Sequence, residues 1–151
     1  NDTLIGIENL VGSAFADVLI GTSQANTLDG REGLDTLTGG AGADLFRFTT
    51  AGGSGNVDLI TDFATGSDKL VFSRAAFSSL GVGSSLTASQ FISGAGVVAA
   101  TTADQRLIYN ATTGALLFDS DGNGAGAAFQ VAKLGTSTAP LLAFTDFQLT
   151  A

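Results

Sequence analysis

From Gly12 to Arg47 the chain divides without remainder into four nonapeptides, GSAFADVLI, GTSQANTLD, GREGLDTLT and GGAGADLFR. Each opens on glycine (Gly12, Gly21, Gly30, Gly39), places Asp or Asn sixth (Asp17, Asn26, Asp35, Asp44) and a large apolar residue eighth (Leu19, Leu28, Leu37, Phe46). A fixed period of this kind is the mark of like units stacked on one another. Glycine at the first, second and fourth places admits positive φ in a tight turn, and the three residues after the Asp make a short strand with only the middle side chain inward. Leu19, Leu28, Leu37 and Phe46 are then expected to form an internal ladder. If two nonapeptides make one coil with a turn on each flank, residues 18 apart share a side, which sets Asp17 by Asp35 and Asn26 by Asp44.

The turn chemistry points to a cation. Of 14 acidic residues against 6 basic ones, only Glu8 and Glu32 are not Asp. Asp suits turns and is a short, hard-oxygen ligand. Strand layers lie about 4.7 to 4.9 Å apart, and calcium sits about 2.3 to 2.6 Å from its oxygens. An ion midway between stacked turns therefore fits with little strain. Its predicted ligands are the side chains of Asp17, Asn26, Asp35 and Asp44 with turn carbonyls from Gly12, Gly21, Gly30, Gly33, Gly39 and Gly42. Magnesium, which keeps its water and demands a stricter octahedron, fits less well. The competing reading is a metal-free stack of ordinary turns, against which stands the repulsion of unneutralised stacked carboxylates. A nucleotide loop is disfavoured, because Gly40-Ala-Gly42 lacks a third glycine and no P-loop lysine follows.

Histidine, cysteine, methionine and tryptophan are absent. That removes the usual bases, thiol nucleophiles and zinc ligands, so no enzyme is expected within these residues. A net charge of −8 argues against a nucleic-acid partner. Apolar runs such as Gly114 to Phe118 and Ala139 to Phe144 are too short for a transmembrane segment. Upstream the repeat continues irregularly. Asp2-Thr3-Leu4-Ile5 reads as the end of another unit, with Asp2 on the Asp17 side as a weaker ligand candidate. Gly6 to Val11 reads as a shortened unit with Glu8 on the Asn26 side. The opening in mid-pattern leads us to expect a preceding part of the polypeptide.

The fourth unit matches G-G-x-G-x-D-x-U-x throughout, and the segment resembles the hemolysin-type calcium-binding repeats of RTX proteins. After Phe48, the residues Asp58, Ile60, Asp62, Phe63, Gly66 and Asp68 follow a D-x-I-x-D-F-x-x-G-x-D spacing. This resembles the segment that closes the repeats in serralysin-type proteases. The resemblance implies an all-β fold: a parallel β-roll, a right-handed β-helix solenoid of nonapeptides, capped by a small antiparallel β region. Its expected divisions are residues 1–48 for the roll, 49–78 for a closing segment and 79–151 for a β-rich cap with a type I secretion signal. Ile60 and Phe63 are expected to cover the open end of the ladder. Asp62 and Asp68 are candidates to complete a calcium site with the last turn; solvated or turn-capping roles compete, most of all for Asp58.

Residues 78–103 carry too little charge or periodicity to read. Arg106 to Asn110 and Ala115 to Asp119 predict a hairpin about Gly114. Asn110-Ala-Thr112 is formally a glycosylation acceptor, but a hairpin turn explains it. Asp119, Asp121 and Asn123, with Gly124, match the first six places of an EF-hand-like loop, although Gln130 replaces the bidentate Glu. A plain hairpin turn is the competing reading, and a glycosidase pair at Asp119 and Asp121 would need a cleft between separated carboxyls. Phe129 to Leu134 reads as a strand. Leu141 to Ala151 resembles an uncleaved type I secretion signal and reads equally as a last core strand.

The family resemblance implies a secreted bacterial protein, extracellular or at the cell surface, that binds several Ca²⁺ ions and folds on meeting them. Its partners would be calcium, the type I secretion machinery and an upstream domain of the same polypeptide, which is where any enzyme would lie. The alternative is a structural subunit or anchoring segment of a calcium-dependent surface layer, adhesin or filament, with self-assembly at the cell surface.

Overall fold

The computed structural model describes residues 7–53 and 55–151; the candidate ligand Asp2 lies outside them. The chain's regular elements are strands, with three single turns of 3-10 helix as the only helical elements among the described residues. Each nonapeptide contributes one short strand directly after its Asp or Asn: β2 (Val18–Ile20), β3 (Thr27–Asp29), β4 (Thr36–Thr38) and β5 (Leu45–Phe48). The shortened upstream unit supplies β1 (Asn9–Val11), and the segment after the repeats supplies β6 (Asp58–Ile60) and β7 (Lys69–Ser73).

Successive strands alternate between two sheets. One runs β1-β3-β5-β7 and the other begins β2-β4-β6, with every one of these pairs parallel. Leu10 pairs with Leu28 and Leu28 with Phe46, while Leu19 pairs with Leu37. The single ladder read from the sequence is thus two facing ladders, because alternate strands go to opposite sheets. Leu28, Leu37 and Phe46 are fully buried between them. Outward neighbours such as Val18 and Ile20 remain exposed.

Ile60 is not a lid. It pairs in register with Leu37 and is itself a fully buried rung. Leu70 continues the facing ladder from Phe46. Phe63 packs against Phe46 with ring centroids 6.0 Å apart. The segment after the repeats therefore adds another coil, and the far end is covered by the C-terminal half.

That half contains β8 (Phe91–Gly94), β9 (Leu107–Asn110), β10 (Ala115–Phe118), β11 (Phe129–Leu134) and β12 (Phe147–Thr150). β9 and β10 form the antiparallel hairpin about Gly114, and β10 pairs antiparallel with β11. Asn110 is buried and its Oδ1 accepts the Thr112 and Thr113 amides, so it holds the turn. β11 and β12 extend the two parallel stacks, β11 beside β6 and β12 beside β7. Between the sheets, Phe48 stacks on Phe72, which meets Phe77 edge-on, and Phe77 meets Phe118 in the same way. The slim Leu ladder of the repeats thus widens into an aromatic core.

Leu37→Asp should prevent folding at any calcium concentration, because a buried charge has no partner between the ladders. Ile20→Asp, at an outward position, should change stability by no more than about 0.5 kcal/mol. Circular dichroism of the two variants checks the inward and outward faces.

Candidate metal centre

Two columns of turn side chains run along the flanks of the parallel stacks. On one flank the Asp17 amide donates to Asp35 Oδ1 at 2.8 Å and the Asp35 amide to Asp58 Oδ1 at 3.4 Å. On the other, the Asn26 amide donates to Asp44 Oδ1 at 2.8 Å and the Asp44 amide to Asp68 Oδ1 at 3.0 Å. The partners are 18 residues apart within the repeats and 23 or 24 apart beyond them. One oxygen of each acceptor therefore clips the next coil to the one before it.

The other oxygen distinguishes the residues. Asp17 Oδ2 accepts the Ser13 amide and hydroxyl at 2.6 and 2.8 Å, and Asp68 Oδ2 accepts the Ala64 amide at 2.8 Å. Asn26 Oδ1 likewise accepts the Thr22 amide at 2.6 Å. Asp35 Oδ2 and Asp44 Oδ2, one on each flank, are buried with no hydrogen-bond donor. Burying an ionised oxygen without a partner costs several kcal/mol on the scale of about 1 to 3 for a neutral group and more for a charge. A cation beside it removes that cost.

The glycines leave room for one. A Cβ added to Gly12 would stand 2.6 Å from the Gly30 carbonyl oxygen and 2.8 Å from Asp17 Oδ2. On the same flank a Cβ at Gly30 would strike Asp35 Oδ2; on the opposite flank a Cβ at Gly21 would meet the Gly39 carbonyl and Asn26 Oδ1, and one at Gly39 would strike Asp44 Oδ2. Turn carbonyls and side-chain oxygens of adjacent coils thus converge where the side chains are missing. Gly33 and Gly42 complete the two turns at φ of +132° and +119°, which disfavours any other residue there.

The donor set is all oxygen, which suits a hard divalent cation. Among the described residues no group of three acidic side chains gathers around one point. Calcium's six to eight ligands would therefore come largely from carbonyls, with Asp35 and Asp44 supplying charge. The sequence-predicted residues fall into two sets: Asp17, Asp35, Asp58, Gly12, Gly30 and Gly33 on one flank, and Asn26, Asp44, Asp68, Gly21, Gly39 and Gly42 on the other. Asp62 joins the second flank, but its two oxygens accept the Gly39 and Gly40 amides at 2.9 and 2.8 Å.

Asp119, Asp121 and Asn123 stand apart in the loop between β10 and β11. Asp119 Oδ1 accepts the Asp121 amide at 3.2 Å, Asp121 Oδ2 accepts the Gly126 amide at 2.9 Å, and Asn123 reaches the Thr101 and Thr102 carbonyls. Burial raises the Asp119 carboxyl, whereas the Gly126 amide lowers that of Asp121. These bonds are those of a closed hairpin loop.

Sequence reasoning missed Asn56, whose Oδ1 accepts the Gly33 amide at 3.0 Å and so anchors the turn of the third repeat, on the first flank. The period has broken by that point and gives it no signal. Ser13 and Thr22, in contrast, share the second place of their units, and that recurrence of a hydroxyl was a signal available in the sequence.

Burial, followed by the charge of Asp35, pushes the Asp58 carboxyl up to about 7. Asp35 and Asp44 are also raised, in both cases first by burial. Asp17 is lowered by its bonds from Ser13. A carboxyl raised in the folded state stabilises the fold below its ordinary value of 3.8, and that contribution is lost as pH climbs through the folded value, about 7 for Asp58. In chelator, lowering the pH from about 8 to about 5 should therefore shift the balance toward the fold, read as a gain of β signal. With calcium present, the same change should weaken binding, since protons compete for the same oxygens. Circular dichroism across pH, in chelator and in a calcium titration, checks both directions.

No curated protein matches the chain closely enough to count as a relative. Residues 8–46 match the family model of the RTX calcium-binding nonapeptide repeat in four copies, and repeats of this kind indicate calcium binding.

Proposed function

We propose that the chain is a calcium-triggered folding and export module, the C-terminal part of a secreted bacterial RTX protein of the serralysin-like kind. Its repeats would wind as a parallel β-roll. The observation that carries this reading is the pair of buried, unpartnered oxygens, Asp35 Oδ2 and Asp44 Oδ2, one on each flank. Their charge opposes the metal-free fold and favours the calcium-bound one. Binding confined to the folded state stabilises it by mass action. Extracellular modules need only about 10⁻⁴ to 10⁻³ M affinity. Such a chain stays unfolded where calcium is scarce, passes a type I exporter in that state and folds outside.

In this reading Leu141 to Ala151 serves as the export signal and as the last strand at different times. Cargo chemistry belongs to an upstream domain, and the chain itself has no enzymatic role. A second reading, a structural subunit that self-assembles at the cell surface, is favoured by Val11, Phe15, Val18, Ile20 and Leu34, large apolar residues exposed on the first coils. Calcium-dependent growth in light scattering would support assembly, and a calcium-saturated monomer would exclude it.

Circular dichroism in chelator, in millimolar calcium and in equal magnesium tests the leading reading. At a pH of about 8 the β signal of the repeats is expected to appear with calcium alone, and an unchanged spectrum in chelator would overturn it. Asp35→Ala should raise the calcium midpoint by about tenfold or more, because a charged ligand is lost. Asn26→Ala removes a neutral oxygen and should shift it less; an equal or larger shift would mean that the ions do not sit between turns 18 residues apart.

A further inference from the structure

The loop from Ala64 to Asp68 touches both the last repeat turn and the end of the chain. On its repeat side, Asp68 Oδ1 accepts the Asp44 amide at 3.0 Å, and the Ser67 hydroxyl donates to the Gly42 carbonyl at 2.8 Å. The loop is closed on itself by the Ala64 amide to Asp68 Oδ2 at 2.8 Å and the Asp68 amide to the Ala64 carbonyl at 2.9 Å. On its other side, the Gly66 amide donates to Asp146 Oδ1 at 3.1 Å, and the Thr65 hydroxyl to the Leu141 carbonyl at 2.8 Å.

Asp146 is 1% exposed, and its second oxygen accepts the Ala143 amide at 2.9 Å. It immediately precedes β12, which pairs along its length with β7, the strand leaving the loop. Lys69 Nζ adds a bond to the Thr145 carbonyl. A continuous set of hydrogen bonds therefore joins the turn that holds the bare Asp44 oxygen to the seat of the last strand. Among the described residues no hydrogen bond joins the Gly30–Asp35 turn to residues 141–150; Asn56 and Thr50 anchor that turn instead.

We propose that the loop of residues 64–68 couples the Gly39–Asp44 turn to the C-terminal strand, so that a cation at Asp44 locks Phe147–Thr150 into the sheet and withdraws it from any partner that reads it unpaired. This rests on the calcium reading above. An empty turn leaves Asp44 repelled by its neighbours Asp68 and Asp62, which loosens the loop and with it the donors to Leu141 and Asp146. By linkage the effect is reciprocal: a docked strand tightens cation binding on this flank. The flanks are then unequal in role, one serving the stack alone and the other also reporting to the chain end.

Hydrogen exchange of the whole chain, followed by mass spectrometry in calcium sufficient to saturate the unaltered protein, tests the coupling. Asp44→Asn keeps an acceptor for the Asn26 amide but removes the charge, and exchange of residues 147–150 should rise at least about fivefold. With calcium raised until its repeat strands are as protected as in the unaltered protein, Asp35→Asn should leave that segment within about twofold of the unaltered protein. Should Asp44→Asn fail to fold, Ser67→Ala and Thr65→Val decide the matter: each removes one exposed hydroxyl contact and should speed exchange at 147–150 by about fivefold, the worth of one hydrogen bond. Equal exchange at 147–150 in the two Asp variants, or no change in either hydroxyl variant, overturns the coupling and leaves calcium folding intact. If the repeat strands gain no protection on adding calcium, the calcium reading itself fails, and the coupling with it.

Discussion

The amide-to-carboxylate clip between successive coils is the interaction on which the rest depends. Each coil is too small to bury its apolar residue alone, so the stack needs a device that fixes one layer over the next at strand spacing. A carboxylate at the end of the turn does this with one oxygen, accepting the amide of the corresponding residue in the coil before. Register follows directly: once Asp35 holds the Asp17 amide, Leu37 must lie beside Leu19. The same clip sets a line of carboxylates on each flank, and their repulsion and desolvation are the cost of the arrangement. Stacking and a place for a cation are therefore two consequences of one residue.

The two ends of the stack are built differently. β1 and β2 carry outward apolar residues that remain exposed, whereas β12 has its outer edge covered by a bond from the Leu149 amide to the Ser84 carbonyl and a bridge between Ser85 and Gln148. An exposed edge is a pairing hazard, and covering it with a short irregular segment is one of the common remedies. Ser78 to Ala103, which looks featureless as sequence, includes that segment, and this gives its small and polar residues a purpose. Arg74 strengthens the same corner by donating to the Thr150 and Val82 carbonyls.

Much of the repeat region was legible because nine-residue periodicity determines strand position, inward side chain and the 18-residue offset together. β2 to β5 lie where the sequence placed them, each directly after its Asp or Asn. Legibility ended where the period did. The offsets of 23 and 24 to Asp58 and Asp68 come from turns of new length, and no pattern announces that Ile60 stands in the Leu37 ladder. For that reason Ile60 looked like a lid rather than a rung. The hairpin at Gly114 was visible from turn chemistry, but the parallel pairing of β11 with β6 and of β12 with β7 was not, since long-range parallel partners leave no local trace. The bare Asp35 and Asp44 oxygens belong to the same class. Their neighbours Asp17 and Asp68 have identical side chains, and only the donors around them, Ser13 and Ala64, make the difference.

The aromatic core of the C-terminal half does not make it independent of the repeats. Phe72, Phe77, Phe118 and Phe147 form a large buried cluster, yet β11 and β12 find their backbone partners on β6 and β7, the last members of the stacks begun by the repeats. Unpaired, β6 and β7 would present buried donors and acceptors with no partners, and such groups are expensive. The apolar half thus supplies stability that can be used only when the acidic half has assembled its layers. On the proposed calcium reading, the flank carboxylates oppose that assembly until they are neutralised, so that a local electrostatic condition at two turns governs burial of the C-terminal core. On that reading, separating apolar gain from electrostatic gate would let a chain with an ample hydrophobic core remain conditional on an ion for its folding.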